Sequence, residues 1–388
     1  MIARMPFVLV LLLLAACQSY RPVHVEAPDL SREAPPTLIT EVDVFTGFDD
    51  FLVRNVDVLL VGGRIRGMVP TGQHELEGRV QMVSGKGKVL LPGFVDMHVL
   101  FGEGDPRLEL ERMLAEGVTT AVVVGHEQNV EALQRAIASG AFPGPRLFRS
   151  TRPIQGMAPL DAPYRLHEVQ QVDGPRAAAR AARTDLERHR SDFVRLDWTP
   201  DVSPEVARAL VLEADAYKKP VFAIAPDAAG AVAAAEAGVA LLLAPPWTDP
   251  LDGEDVHALA IAGVPVVTAQ GLCMEGASQC AHTLGANLGA LRRGGIPLLV
   301  GTGRSGRSVV DEIEALVAAG MRPADAIQAA NRLPVRLLDP AAKFGVIASG
   351  GYADLVMVDG NPLEDVGALR RVVAVWQAGH LLRPATSN

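Results

Sequence analysis

Asp96-Met97-His98-Val99-Leu100 sets a carboxylate, an imidazole and a leucine on one face of an extended segment, because strand side chains alternate with period two. Two imidazoles one residue apart on a strand can hold one metal ion between them. Here the second position is Leu100, which donates no lone pair. His98 is then either a hydrogen-bonded core histidine or a group that touches a ligand. His126 and Glu127 stand on the same rim and would complete a relocated metal site with His98 if their side chains converged, although adjacent turn residues diverge. Arg195 stays protonated and cannot ligate a cation; it either closes an interior salt bridge or receives an anionic group such as a carboxylate. Arg152, Asp197, Asp227, Gln270 and Arg304 read as solvated rim groups, and Asp96 as support for structure. Cys273 and Cys280 form a disulfide or remain two separate thiols. No Gly-x-Ser-x-Gly elbow or Ser-His-Asp order is present, so a serine nucleophile has no support.

The address of these groups is written at the N-terminus. Arg4 precedes an apolar run from Met5 to Ala16, too short for a mature membrane span and suited to a signal-peptide core. Leu14-Ala15-Ala16-Cys17 resembles a bacterial lipobox, which makes Cys17 the lipidation site and predicts anchoring to a membrane through lipid. Gln18, where such signals would need Asp for inner-membrane retention, favours the outer membrane, facing the periplasm. Residues 1–16 are read as the signal peptide and 17–36, rich in Pro, Ser and charge, as a flexible tether. The net charge of −9 and the lack of a dense Lys/Arg stripe exclude a nucleic-acid partner. The partners expected beyond the membrane are an unknown small molecule or an envelope protein.

The elements that must position these residues fall into two sets. Leu38–Phe45, Val56–Val61, Arg64–Val69 and Arg79–Val83 fit short strands, with Gly62-Gly63 as a hairpin turn. They need partners, which 354–359 and 371–382 supply, so a small β-sandwich is expected from 37–91 and 346–388 together. Between them, residues 92–345 alternate strand and helix eight times. The strands expected are Val95–Leu100, Thr119–Val124, Arg146–Arg152, Phe193–Trp198, Pro220–Ala225, Ala240–Ala244, Val264–Ala269 and Ile296–Gly301. Gly117, Gly238, Gly263 and Gly295 end helices just before a strand, and Ser203-Pro204 starts one. The fold class is α/β, a (β/α)8 TIM-type barrel with a composite β-sandwich; an open doubly wound sheet lacks its Gly-x-Gly-x-x-Gly turn.

Pro92-Gly93-Phe94-Val95-Asp96-Met97-His98 resembles the first barrel strand of the amidohydrolase superfamily. Gly62-Gly63-Arg64-Ile65, Leu338-Asp339-Pro340, Phe344-Gly345-Val346-Ile347, Gly350-Gly351-Tyr352-Ala353-Asp354-Leu355 and Asp359-Gly360-Asn361-Pro362 extend the likeness to the imidazolonepropionase-like branch over most of the chain. The resemblance implies hydrolysis of a C–N bond by metal-activated water, with Zn²⁺ or another divalent metal held at the C-terminal ends of strands 1, 4, 5, 6 and 8. It places Leu100, Arg195, Ile224, Ala244 and Gly303 where the family has ligands or the general base, and leaves His98 as the remaining family ligand. A catalytic zinc site takes about three protein ligands and a water, so no cofactor is expected. The reading is a degenerate member: a non-catalytic ligand-binding or scaffolding lipoprotein, with His98, Arg195 and His126 as candidate ligand contacts. The alternatives are an active amidohydrolase with a displaced or absent metal, and a purely structural envelope protein.

Overall fold

The computed structural model describes residues 33–382, apart from 75–77, 103, 126–129, 161–168, 274–277 and 339–343. Cys17, the signal segment and His126 with Glu127 lie outside the described residues.

Thr37–Val44 pairs antiparallel with Val53–Val61, which turns through Gly62-Gly63 into Arg64–Pro70. Both glycines have positive φ (56° and 73°), the conformation a tight two-residue hairpin requires. Gln81–Ser84 and Lys88–Pro92 each pair parallel with the first strand. The two chain ends then meet: Lys88–Pro92 pairs antiparallel with Leu355–Asp359, which continues into Val372–Gln377 and His380–Leu382. The result is one eight-stranded sheet that curls over its own inner face, so the layers expected of a sandwich are joined by hydrogen bonds. Arg64 and Tyr352 bridge where the sheet closes on itself. Period two assigns the two faces. Leu90, Leu355 and Met357 enter the small core with Ile39, Val58, Ile65 and Trp376, whereas Val89, Leu91, Val356 and Val358 pack into the barrel's core.

The barrel has eight parallel strands: Phe94–Val99, Val118–Val123, Arg146–Arg149, Val194–Asp197, Val221–Ile224, Leu241–Leu242, Val266–Val267 and Leu298–Leu299. Each is shorter than the sequence suggests or shifted by a residue, and each falls within or beside its expected segment. A parallel bridge between Ser150 and Phe193 joins the third strand to the fourth, and Met97 N donates to Val300 O (3.0 Å), closing the eighth onto the first. Among the described residues a helix follows each strand, Pro106–Ala115, Val130–Ala138, Pro175–His189, Pro204–Ala216, Ala228–Glu236, Gly253–Ala262, Ser278–Arg293 and Val309–Ala318, and the last is followed by Pro323–Gln328 and Arg332–Leu338. Gly117, Gly238, Gly263 and Gly295 all have positive φ at helix-to-strand junctions, as expected. Pro204 opens its helix, but the Ser203 side chain makes no cap hydrogen bond. No helix among the described residues is long and apolar enough to cross a membrane.

Candidate functional site at the barrel mouth

Asp96 and His98 project from the first strand into the barrel, and both are buried. The His98 Nδ1 lies 2.7 Å from the carbonyl oxygen of Leu243, at the end of the sixth strand. A carbonyl only accepts, so Nδ1 carries the proton and Nε2 presents a lone pair. That Nε2 is buried and has no hydrogen-bond partner among the described residues. Burial, and behind it the charge of Arg195, hold the imidazole's pKa down at about 4, against the pull of the Leu243 carbonyl. His98 is therefore neutral at pH 7, and its single proton is committed to structure.

Asp96 supports the same strand, as the sequence suggests. Its Oδ1 accepts from the backbone N–H groups of His98 (3.0 Å) and Thr302 (2.9 Å), and its Oδ2 from the Thr302 hydroxyl (2.7 Å). The carboxyl thus ties the first strand to the segment after the eighth. Burial raises its pKa to about 6, although these three bonds favour the charged form.

Arg195 and Asp197 sit two apart on the fourth strand and so share a face. Arg195 Nε donates to Asp197 Oδ1 (2.6 Å) and Nη2 to Oδ2 (3.2 Å), while Nη1 donates to the carbonyl of Val124 after the second strand (2.5 Å). Both side chains are fully buried. Burial pushes the Asp197 carboxyl up and the guanidinium pulls it back. The pair is ionised, since a neutral Asp197 would leave a buried cation uncompensated. Of the two readings of Arg195, the interior salt bridge is the one the geometry realises.

The remaining positions supply no metal donors. Ile224 lies in register with Asp197 and is fully buried, and Ala244 is buried beside Leu243. Leu100 packs half-buried against the core. Gly303 has φ +73°, its N–H bonds the His98 carbonyl, and a Cβ there would stand 3.0 Å from Ala269 O and Leu272 N. Among the described residues, no three His, Cys, Asp or Glu side chains are placed to hold a metal ion. A divalent cation does not fit this donor set.

Several groups read as solvated have protein partners instead, and these readings are corrected. Asp197 is fully buried against Arg195. Arg152 reaches buried Asp185 (2.9 Å), Asp227 caps its helix through Gly230 N (2.6 Å), and Gln270 Nε2 donates to Glu312 (3.2 Å). Arg304 alone of that group is exposed. Glu312 itself was not singled out. It lies on the eighth helix at the level of Val309, Ile313 and Leu316, so a carboxylate on an apolar helical stripe was the available signal. Burial raises its pKa to about 7 against the pull of Thr268, Gln270 and Arg307. Cys273 and Cys280 are joined in a disulfide, linking the turn Gln270–Leu272 after the seventh strand to the helix Ser278–Arg293. His98 and Arg195 come to the same mouth.

The family model described as "Amidohydrolase family" matches residues 89–382. No curated protein matches the chain. Solved structures do. A Xaa-Pro dipeptidase with bound methionine in its active site is 23% identical at a TM-score of 0.79, over 90% of this chain and 100% of that one. Molinate hydrolase is 20% identical at 0.76, over 90% and 95%, and A. niger ochratoxinase 20% at 0.73, over 90% and 96%. At such identities the likeness is one of fold.

Proposed function

We propose a function from one premise: this chain belongs to the amidohydrolase family. It is a lipoprotein of the bacterial envelope, anchored through Cys17, whose metal-dependent hydrolase chemistry has lapsed. It serves as a non-catalytic ligand-binding or scaffolding module. The observation that carries this reading is the donor set of the mouth, where among the described residues one imidazole stands with Leu100, Ile224, Ala244 and Gly303. The family's chemistry needs the pKa of water brought down to about 7 by a bound metal, with a carboxylate to take its proton. A single imidazole with one nitrogen already bonded to Leu243 does not assemble that site. The barrel stays folded because its apolar core does not depend on the site.

A second reading has a specific observation behind it. His98 Nε2 keeps a buried lone pair, which a displaced metal or a proton-donating substrate would use in an active amidohydrolase. A purely structural role is favoured by the apolar filling at Ile224, Leu243 and Ala244. Elemental analysis of the full-length protein, beside a panel of dipeptide, amide and urea substrates, separates the readings. The lapsed-site reading expects substoichiometric metal and no turnover. Stoichiometric zinc that disappears in His98→Ala would overturn it. Radiolabelled palmitate should enter the protein through Cys17, and Cys17→Ala should abolish both the label and the membrane fraction.

A further inference from the structure

Among the described residues, side-chain hydrogen bonds tie the barrel mouth at three places. His98 joins the first strand to the sixth through Leu243, Asp96 joins the first to the eighth through Thr302, and Arg195 joins the fourth to the second through Val124. A metal bound between strand ends would supply two things there: positive charge, and a tie between strands that meet only at the mouth. We propose that the Arg195–Asp197 pair, together with the His98–Leu243 bond, performs the second task with atoms of the chain, tying the strands of the mouth together in the place of a metal.

The geometry supports each part. The guanidinium is fully buried, and its fork is shared between a carboxylate on its own strand and a carbonyl two strands away. That planar spread of donors suits a bridge between strands, which a point charge on a lysine would not reproduce. Asp197 cancels the charge, so the interior carries a neutral pair. A divalent cation beside it would meet the guanidinium at short range in a medium of low polarity, where like charges repel strongly. Ile224, level with Asp197, walls the pair with hydrocarbon instead of a donor. The inference rests on the lapsed-site reading but is separable from it.

The test is thermal unfolding of the full-length protein and its variants, with and without chelator. Wild type should be zinc-free and its Tm indifferent to chelator. Arg195→Ala strands Asp197 and should lower Tm by roughly 5–10 °C. Low millimolar guanidinium or zinc should raise the Tm of Arg195→Ala, the zinc effect being reversed by chelator. Neither cation should shift wild type or Arg195→Ala/Asp197→Ala. Should Arg195→Ala not be recoverable, Arg195→Met/Asp197→Leu decides: the inference expects it to fold with a Tm above that of Asp197→Leu alone and insensitive to chelator. Zinc in the wild type overturns the lapsed-site reading. A zinc-free wild type whose Arg195→Ala form answers to no cation, or a double variant no better than Asp197→Leu, overturns this inference alone.

Discussion

At the scale of single residues, the buried titratable groups make stability depend on pH in a definite direction. Glu312 is pushed from its ordinary 4.5 to about 7, so its contribution is greatest when protonated and is lost as pH rises through about 7. Asp96, at about 6, is already ionised above that value, and His98, depressed to about 4 from 6.5, is neutral in both folded and unfolded chains above about pH 7. Between pH 7 and 8 the loss therefore belongs mainly to Glu312 and should total about 0.4 kcal/mol. Glu312→Gln should flatten Tm across that range; an unchanged slope would show that another group carries it. Gly303 answers a different question. Restoring a carboxylate with Gly303→Asp forces a side chain into positive φ and against Ala269 and Leu272. A loss of about 1–3 kcal/mol is expected, with no gain of bound metal by elemental analysis.

At the scale of elements, the disulfide between Cys273 and Cys280 pins the turn after the seventh strand to the following helix. Closing so short a loop stabilises by about 2.5 kcal/mol in the chain-entropy account. Cys273→Ser/Cys280→Ser should lower Tm by a few degrees, with faster amide exchange confined to 270–280. Exchange spreading through the barrel strands would contradict that local role. The barrel strands were legible because each is a short Val-, Ile- or Leu-containing run, four of them opening just after a helix-ending glycine. Lys88–Pro92 was not, since Gly85-Lys86-Gly87 reads as a turn and the Val-Leu-Leu run behind it is short and closes on a proline. Its strand identity comes from Leu355–Asp359, more than 250 residues away, and local pattern carries no trace of such pairing. The site divides similarly. The departures at Leu100 and Gly303 are visible in a row of residues, whereas the Val124 carbonyl bound by Arg195 and the Leu243 carbonyl bound by His98 depend on how strands are set around the barrel. Asp197 was the partner within reach of pattern reasoning, because i and i+2 on a strand share a face.

At the scale of the whole molecule, two cores meet through one strand pair. Lys88–Pro92 and Leu355–Asp359 give alternate side chains to each, so removing 355–382 should expose Leu90 and Leu91 together and unsettle both. Limited proteolysis of a chain ending at Asp354 should cut within 37–92, where the full chain resists; a resistant N-terminal segment would refute the coupling. The same strand pair also bears on biosynthesis. A chain emerging N-terminus first from the ribosome delivers 37–92 long before its partner strands at 355–382 exist. Those strands must wait, with edges open, while the whole barrel is threaded out behind them. Vectorial folding is thus denied to 37–92, for which 355–382 acts as the latch.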